Sequence, residues 1–142
     1  MGFNVLIVDD SAAMRRIIKK TIQVSGFDVD NFYEAGNGKE ALDVLENNWV
    51  DVVLTDINMP EMDGMTLIKK IRENDVFGGV PIVVISTEAR DKKVKESLEL
   101  GASGYIKKPF KPEEIKNILI ELMGEEYVRT DDEYKDFGET DF

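Results

Sequence analysis

Val52-Val53-Leu54-Thr55 is a run of apolar or β-branched residues that stops at Asp56, and Pro60 soon after forbids further strand pairing. A run without polar alternation predicts a strand buried on both faces, as in a parallel sheet covered by helices on both sides. Asp56 therefore falls where the strand leaves the sheet, and in open α/β sheets ligands bind at that carboxyl edge. Val5-Leu6-Ile7-Val8 repeats the pattern and ends in Asp9-Asp10. As neighbours, the two strands would deliver three carboxylates to one edge, within about 5–8 Å of one another given a strand spacing of ~4.8 Å.

Three anions that close repel one another and cost stability unless a cation sits among them. The chain has no His and no Cys, so a soft-metal site is disfavoured. Oxygen ligands alone favour Mg²⁺, with Ca²⁺ or Mn²⁺ as competitors. The same carboxylates argue against a flavodoxin-like electron carrier, which needs a phosphate-cradling loop after the first strand. The net charge of −11 disfavours nucleic-acid binding. No window approaches the roughly 18 apolar residues of a membrane span, and the N-terminus lacks a signal pattern. The cytoplasm is the expected location.

Alternation organises the rest. Met14, Ile17, Ile18, Thr21 and Ile22 have the spacing of an amphipathic helix, with Ser11 as its N-cap and Gly26 as its stop. Residues 31–35 are a weak strand candidate, and Ala41, Leu42 and Leu45 mark a second helix. After Asp56, Asp63-Gly64 caps a helix facing inward through Met65, Leu67, Ile68 and Ile71. Ile82-Val83-Val84-Ile85 is a fourth strand ending at Ser86, followed by a helix over about 91–100 with sparse apolar positions, Val94 and Leu98. Tyr105-Ile106-Lys107 is a short fifth strand before Lys108-Pro109, and Ile115, Ile118, Leu119, Leu122 and Met123 give the last helix. Five βα units predict an α/β fold, a doubly wound five-stranded parallel sheet with five helices.

Residues 1–123 thus form one domain, and residues 124–142 an acidic extension. That extension holds eight acids against Arg129 and Lys135, with Tyr127, Tyr134, Phe137 and Phe142 among them. Such a composition predicts disorder or a partner-docking segment. Its charge is expected to fold it back on the basic strip Arg90, Lys92, Lys93 and Lys95.

Asp9-Asp10 after strand one, Asp56 after strand three, Ser86 after strand four and Lys108-Pro109 after strand five together resemble the receiver domain of two-component response regulators. The resemblance runs from about Phe3 to Met123. Within the family it is nearest the stand-alone chemotaxis regulators, through Met14-Arg15-Arg16, Asp56-Ile57-Asn58-Met59-Pro60, Met62-Asp63-Gly64, Gly101-Ala102-Ser103-Gly104-Tyr105 and Lys108-Pro109-Phe110. It implies the flavodoxin-like strand order 2-1-3-4-5 and a signalling switch, not an enzyme beyond its own phosphorylation and dephosphorylation.

The resemblance further implies that Asp56 is the phosphoacceptor, taking its phosphoryl group from a histidine kinase. Asp10, Asp56 and the backbone carbonyl of Asn58 would hold Mg²⁺, with Asp9 acting mostly through a coordinated water. Lys108 and Ser86 would stabilise the phosphoryl oxygens, the peptide before Pro109 is often cis, and Ser86 with Tyr105 would form the switch. Asn58 and Glu88 would tune hydrolysis. Thr87 stands where the family usually keeps Ala or Gly, and is expected to crowd the phosphoryl site. The implied partner is a kinase of the chemotaxis type, and the implied target a flagellar motor switch component or a phosphatase, met by a monomer. Two alternatives use related chemistry. One is a phosphorelay intermediate that passes its phosphoryl group to a histidine phosphotransfer protein. The other is a haloacid-dehalogenase-like phosphatase, which needs a second Asp where this chain has Asn58.

Overall fold

The computed structural model describes residues 2–87 and 90–124. Strands and helices alternate throughout: β1 (Phe3–Val8), α1 (Ala12–Val24), β2 (Val29–Ala35), α2 (Gly38–Asn47), β3 (Val52–Thr55), α3 (Gly64–Arg72), β4 (Ile82–Ser86), α4 (Asp91–Leu100), β5 (Gly104–Lys107) and α5 (Pro112–Met123). All pairings are parallel, and the strand order is β2-β1-β3-β4-β5. This is the doubly wound sheet that the sequence predicts.

Burial explains why the central strands lack polar alternation. Every residue of β3 and β4 is buried, with one face packed into a cluster with α2 and α3 and the other into a cluster with α1 and α5. A strand covered on both sides has no solvent face on which a polar side chain would be tolerated.

Local capping follows the sequence. The Ser11 hydroxyl accepts from the Met14 N–H at 3.1 Å, and Asp63 Oδ1 accepts from the Thr66 N–H at 2.8 Å. Strand β2 starts two residues earlier than periodicity indicates, because Val29 pairs with Phe3. Two helix faces also differ. Ile17 is 52% exposed, since Met14, Ile18, Thr21 and Ile22 already fill the contact arc of α1. In α4 the buried position is Ser97, while Leu98 is 46% exposed. Ser97 and Leu100, at i, i+3 spacing, face inward, Leu100 against the cluster of α2 and α3, and this turns Leu98 outward.

Arg72 closes the edge opposite the carboxyl ends, and among the described residues it has no carboxylate partner. Its guanidinium donates to the carbonyls of Gly101, Gly78 and Val80 at 2.5–3.0 Å, tying α3 to the loops before β4 and β5. Burial lowers its pKa.

Candidate functional site

Register brings the acids together. Val8 pairs with Thr55, so the next residues of the two strands, Asp9 and Asp56, leave the sheet side by side. The Asp56 N–H still donates to Val8 O at 3.0 Å, and the Asp9 N–H to Ala35 O at 3.0 Å. Carboxylate oxygens of Asp9, Asp10 and Asp56 lie within 4.8 Å of one another, Asp9 buried, Asp56 half-buried and Asp10 exposed.

Lys108 completes the cluster from the far side of the sheet. Strand β5 lies two positions from β3, about 10 Å by strand spacing, so only a long side chain can cross. The route passes the end of β4, where the fully buried Ser86 accepts the Lys108 N–H on its carbonyl at 2.8 Å. Lys108 Nζ then donates to Asp9 Oδ2 at 2.9 Å and to Asp56 Oδ2 at 3.2 Å. The Lys108–Pro109 peptide is cis.

The other carboxylate oxygens are held by main chain. Asp9 Oδ1 accepts from the Ser11 N–H at 2.9 Å, and Asp56 Oδ1 from the Ile57 N–H at 2.6 Å. These bonds hold one oxygen of each carboxylate against the main chain.

Burial alone would lower the Lys108 pKa. The hydrogen bond donated to Asp9 and the charges of Asp56 and Asp9 outweigh it, and the net direction is upward. A raised folded-state value means that the ammonium's contribution to stability is complete below lysine's ordinary pKa. It is lost as pH climbs through the raised one. Between roughly pH 10 and 12, urea midpoints of the wild type should therefore fall more steeply than those of Lys108→Met. Parallel pH profiles would show that the ion pair adds nothing to folding.

Several supporting contacts are not assigned a role from the sequence. Arg15 donates to the Asp9 carbonyl at 2.5 Å and pairs with Glu34 at 2.9 Å, pinning the exit of β1. Glu61 has φ 62°, in a three-residue turn closed by the Met62 N–H on Pro60 O at 2.7 Å. A non-glycine residue there costs on the order of 1 kcal/mol, a kind of strain that concentrates at functional loops. Gly64 lies so close to β3 that a Cβ on it would sit 2.2 Å from Asp56 O.

The remaining predicted residues are spread along the same edge. Asn58 is exposed in the loop after β3, and Thr87 is exposed just beyond β4. Tyr105 is half-buried on β5, paired in register with Val84 and packed against the core cluster of α2 and α3. Glu88 lies outside the described residues, as does the extension after Gly124.

The sequence matches the response regulator receiver domain family over residues 5–120. The chain belongs to that family. It is 43% identical over 120 residues to a chemotaxis protein CheY homolog of Campylobacter jejuni, covering 84% of this chain and 91% of the relative. Among solved structures, the chemotaxis response regulator CheY4 of Vibrio cholerae has a TM-score of 0.77 at 32% identity, covering 87% of this chain and all of that one. The CheX–CheY–BeF3–Mg²⁺ complex of Borrelia burgdorferi has a TM-score of 0.75 at 32% identity, covering 84% and 87%. The protein is thus a CheY-like chemotaxis receiver, with the fold of that family. No helix among the described residues is long and apolar enough to cross a membrane.

The receiver's acidic cluster fits a hard divalent cation. At Mg–O distances of ~2.0–2.1 Å, ligand oxygens of an octahedral shell stand about 3–4.2 Å apart. Oxygens already within 4.8 Å of one another need to close by at most about 2 Å to reach the spacing of neighbouring ligands in that shell. Three carboxylates against one ammonium leave a net of two negative charges.

Proposed function

We propose that this receiver accepts a phosphoryl group on Asp56 from a histidine kinase, with Mg²⁺ bound at the carboxyl edge, and thereby changes its affinity for a protein partner. The observation that carries the reading is the convergence of Asp9, Asp10 and Asp56 with the Lys108 ammonium.

Asp9, Asp10, Asp56 and the Asn58 carbonyl would hold the cation, which supplies charge neutralisation and alignment for phosphoryl transfer. An Asp56 carboxylate oxygen then attacks phosphorus. A new O–P bond forms as the P–N bond to the kinase histidine breaks, and the imidazole leaves with the electron pair. Lys108 compensates the incoming charge while its bond to Asp9 keeps the ammonium in position. Ser86 donates its hydroxyl to the phosphoryl oxygens. Tyr105 repacks in response, a population shift between two arrangements of β4 and β5. Asn58, Thr87 and Glu88 would tune the lifetime of the acyl phosphate.

The likeness to chemotaxis proteins supports a CheA-like kinase as donor, and a motor-switch component or a phosphatase as target, met by a monomer in the cytoplasm. The solved CheX–CheY complex favours such a protein target over a relay. In the alternative, the phosphoryl group moves on to a histidine phosphotransfer protein. Incubating labelled receiver with that protein separates the two, since label moves to histidine only in a relay.

Asp10→Ala tests the metal role. Calorimetry should show Mg²⁺ affinity reduced at least about tenfold, or ~1.4 kcal/mol. Unchanged affinity would remove Asp10 from the ligand set. Trp49 is a poor optical reporter for this titration, because it is 75% exposed and precedes β3 at the opposite edge of the sheet.

A further inference from the structure

Helix α1 is the most cationic element of an acidic protein. Between Ala12 and Val24 it carries Arg15, Arg16, Lys19 and Lys20 and no acid, although the chain's net charge is −11. Two of these cations face the protein: Arg15 is bonded to Glu34 and the Asp9 carbonyl, and Lys19 lies 5.4 Å from the Phe32 ring centroid. The other two, Arg16 and Lys20, are exposed at i, i+4 spacing. Ala13 and Ile17 share their stripe, and Ile17 is 52% exposed. The outer face of α1 is therefore an apolar spot flanked by positive charge. By contrast, α4 mixes its three lysines with Asp91, Glu96 and Glu99, so its surface is close to neutral.

Helices α1 and α5 pack on the same face of the sheet, sharing a cluster that includes Ile18, Ile22, Ile115 and Leu119. Each follows a strand of a parallel sheet and so runs in the same direction. Chain leaving α5 at Gly124 thus emerges beside the last turn of α1. Residues 125–142 hold eight acids against two cations, and Asp131-Asp132-Glu133-Tyr134 sets three acids next to an aromatic ring. From Gly124 to Asp131 the chain can reach up to ~24 Å. Lying back along α1 from Val24 to Ile17 requires only about 10 Å.

We propose that the segment Asp131–Phe137 docks on the outer face of α1, with its acids against Arg16 and Lys20 and Tyr134 over Ile17. Tethering keeps the segment at an effective concentration in the millimolar range, so an acidic partner of this face must displace it. The α1 face, not the α4 strip, is the receptor because its charge is of one sign.

The chain contains no cysteine, so Gly138→Cys gives a single attachment point for a nitroxide in the full-length protein. At low salt, amides of Ala13 to Lys20 should lose most of their intensity by paramagnetic relaxation. The effect should vanish in about 0.5 M salt, where the screening length falls to ~4 Å. It should also vanish in Arg16→Glu/Lys20→Glu, whose well-dispersed spectrum would confirm folding. The same reversal on α3, Lys69→Glu/Lys70→Glu, should leave the broadening unchanged. Broadening that is absent, that centres on α4, or that survives both salt and the α1 reversal would overturn the proposal.

Discussion

Asp56→Asn should take labelling by acetyl phosphate to background, a loss of at least about 100-fold, or ~2.7 kcal/mol in barrier. An amide oxygen is too weak a nucleophile to replace a carboxylate, and Asp9 and Asp10 are occupied by other contacts or point to solvent. The fold should survive. Asn can still accept the Ile57 N–H that Asp56 Oδ1 accepts at 2.6 Å, and substitution removes one of three mutually repelling charges. Without metal, the variant should melt at or above the wild-type temperature. Persistent labelling would move the phosphoacceptor elsewhere, and a clear loss of stability would mean that the charge pairing with Lys108 outweighs the repulsion.

The second large effect is structural. Gly64→Ala places a Cβ 2.2 Å from Asp56 O and 2.7 Å from the Ile57 Cα, both backbone atoms at the end of β3. Nothing there can rotate away, so α3 must shift from the strand that carries the candidate phosphoacceptor. Overpacking of this kind costs typically 1–3 kcal/mol, and with no side chain to yield we expect about 3 kcal/mol in urea unfolding. Mg²⁺ affinity should fall with it, because the same displacement moves the Asp56 to Met59 segment. A variant within 0.5 kcal/mol of wild type would show that the loop relaxes freely.

The parts legible in the sequence are those where one physical constraint acts alone. Strands buried on both faces admit no polar residue, so β1, β3 and β4 and the acids that end them are visible as interrupted apolar runs. Side-chain caps such as Ser11 and Asp63 are visible because their partners are three residues away. Helix phase is weaker evidence when apolar residues exceed the contact arc, as at Ile17, or fall short of it, as at α4. There a small hydroxyl, Ser97, takes the buried place by donating to its own helix at Val94 O, 2.7 Å away. Contacts between distant segments leave no local trace. Arg72 on the Gly101 carbonyl and Arg15 on Glu34 depend on the assembled sheet, and no pattern within a short window encodes them.

Locating the phosphoryl group chemically tests the central claim most directly. The protein is incubated with acetyl phosphate and Mg²⁺, the acyl phosphate is reduced with borohydride, and the peptides are sequenced by mass spectrometry. Homoserine at position 56 alone, and none when Mg²⁺ is chelated beforehand, is the predicted result. Homoserine at position 9 or 10, or modification at 56 that is indifferent to the metal, would contradict it.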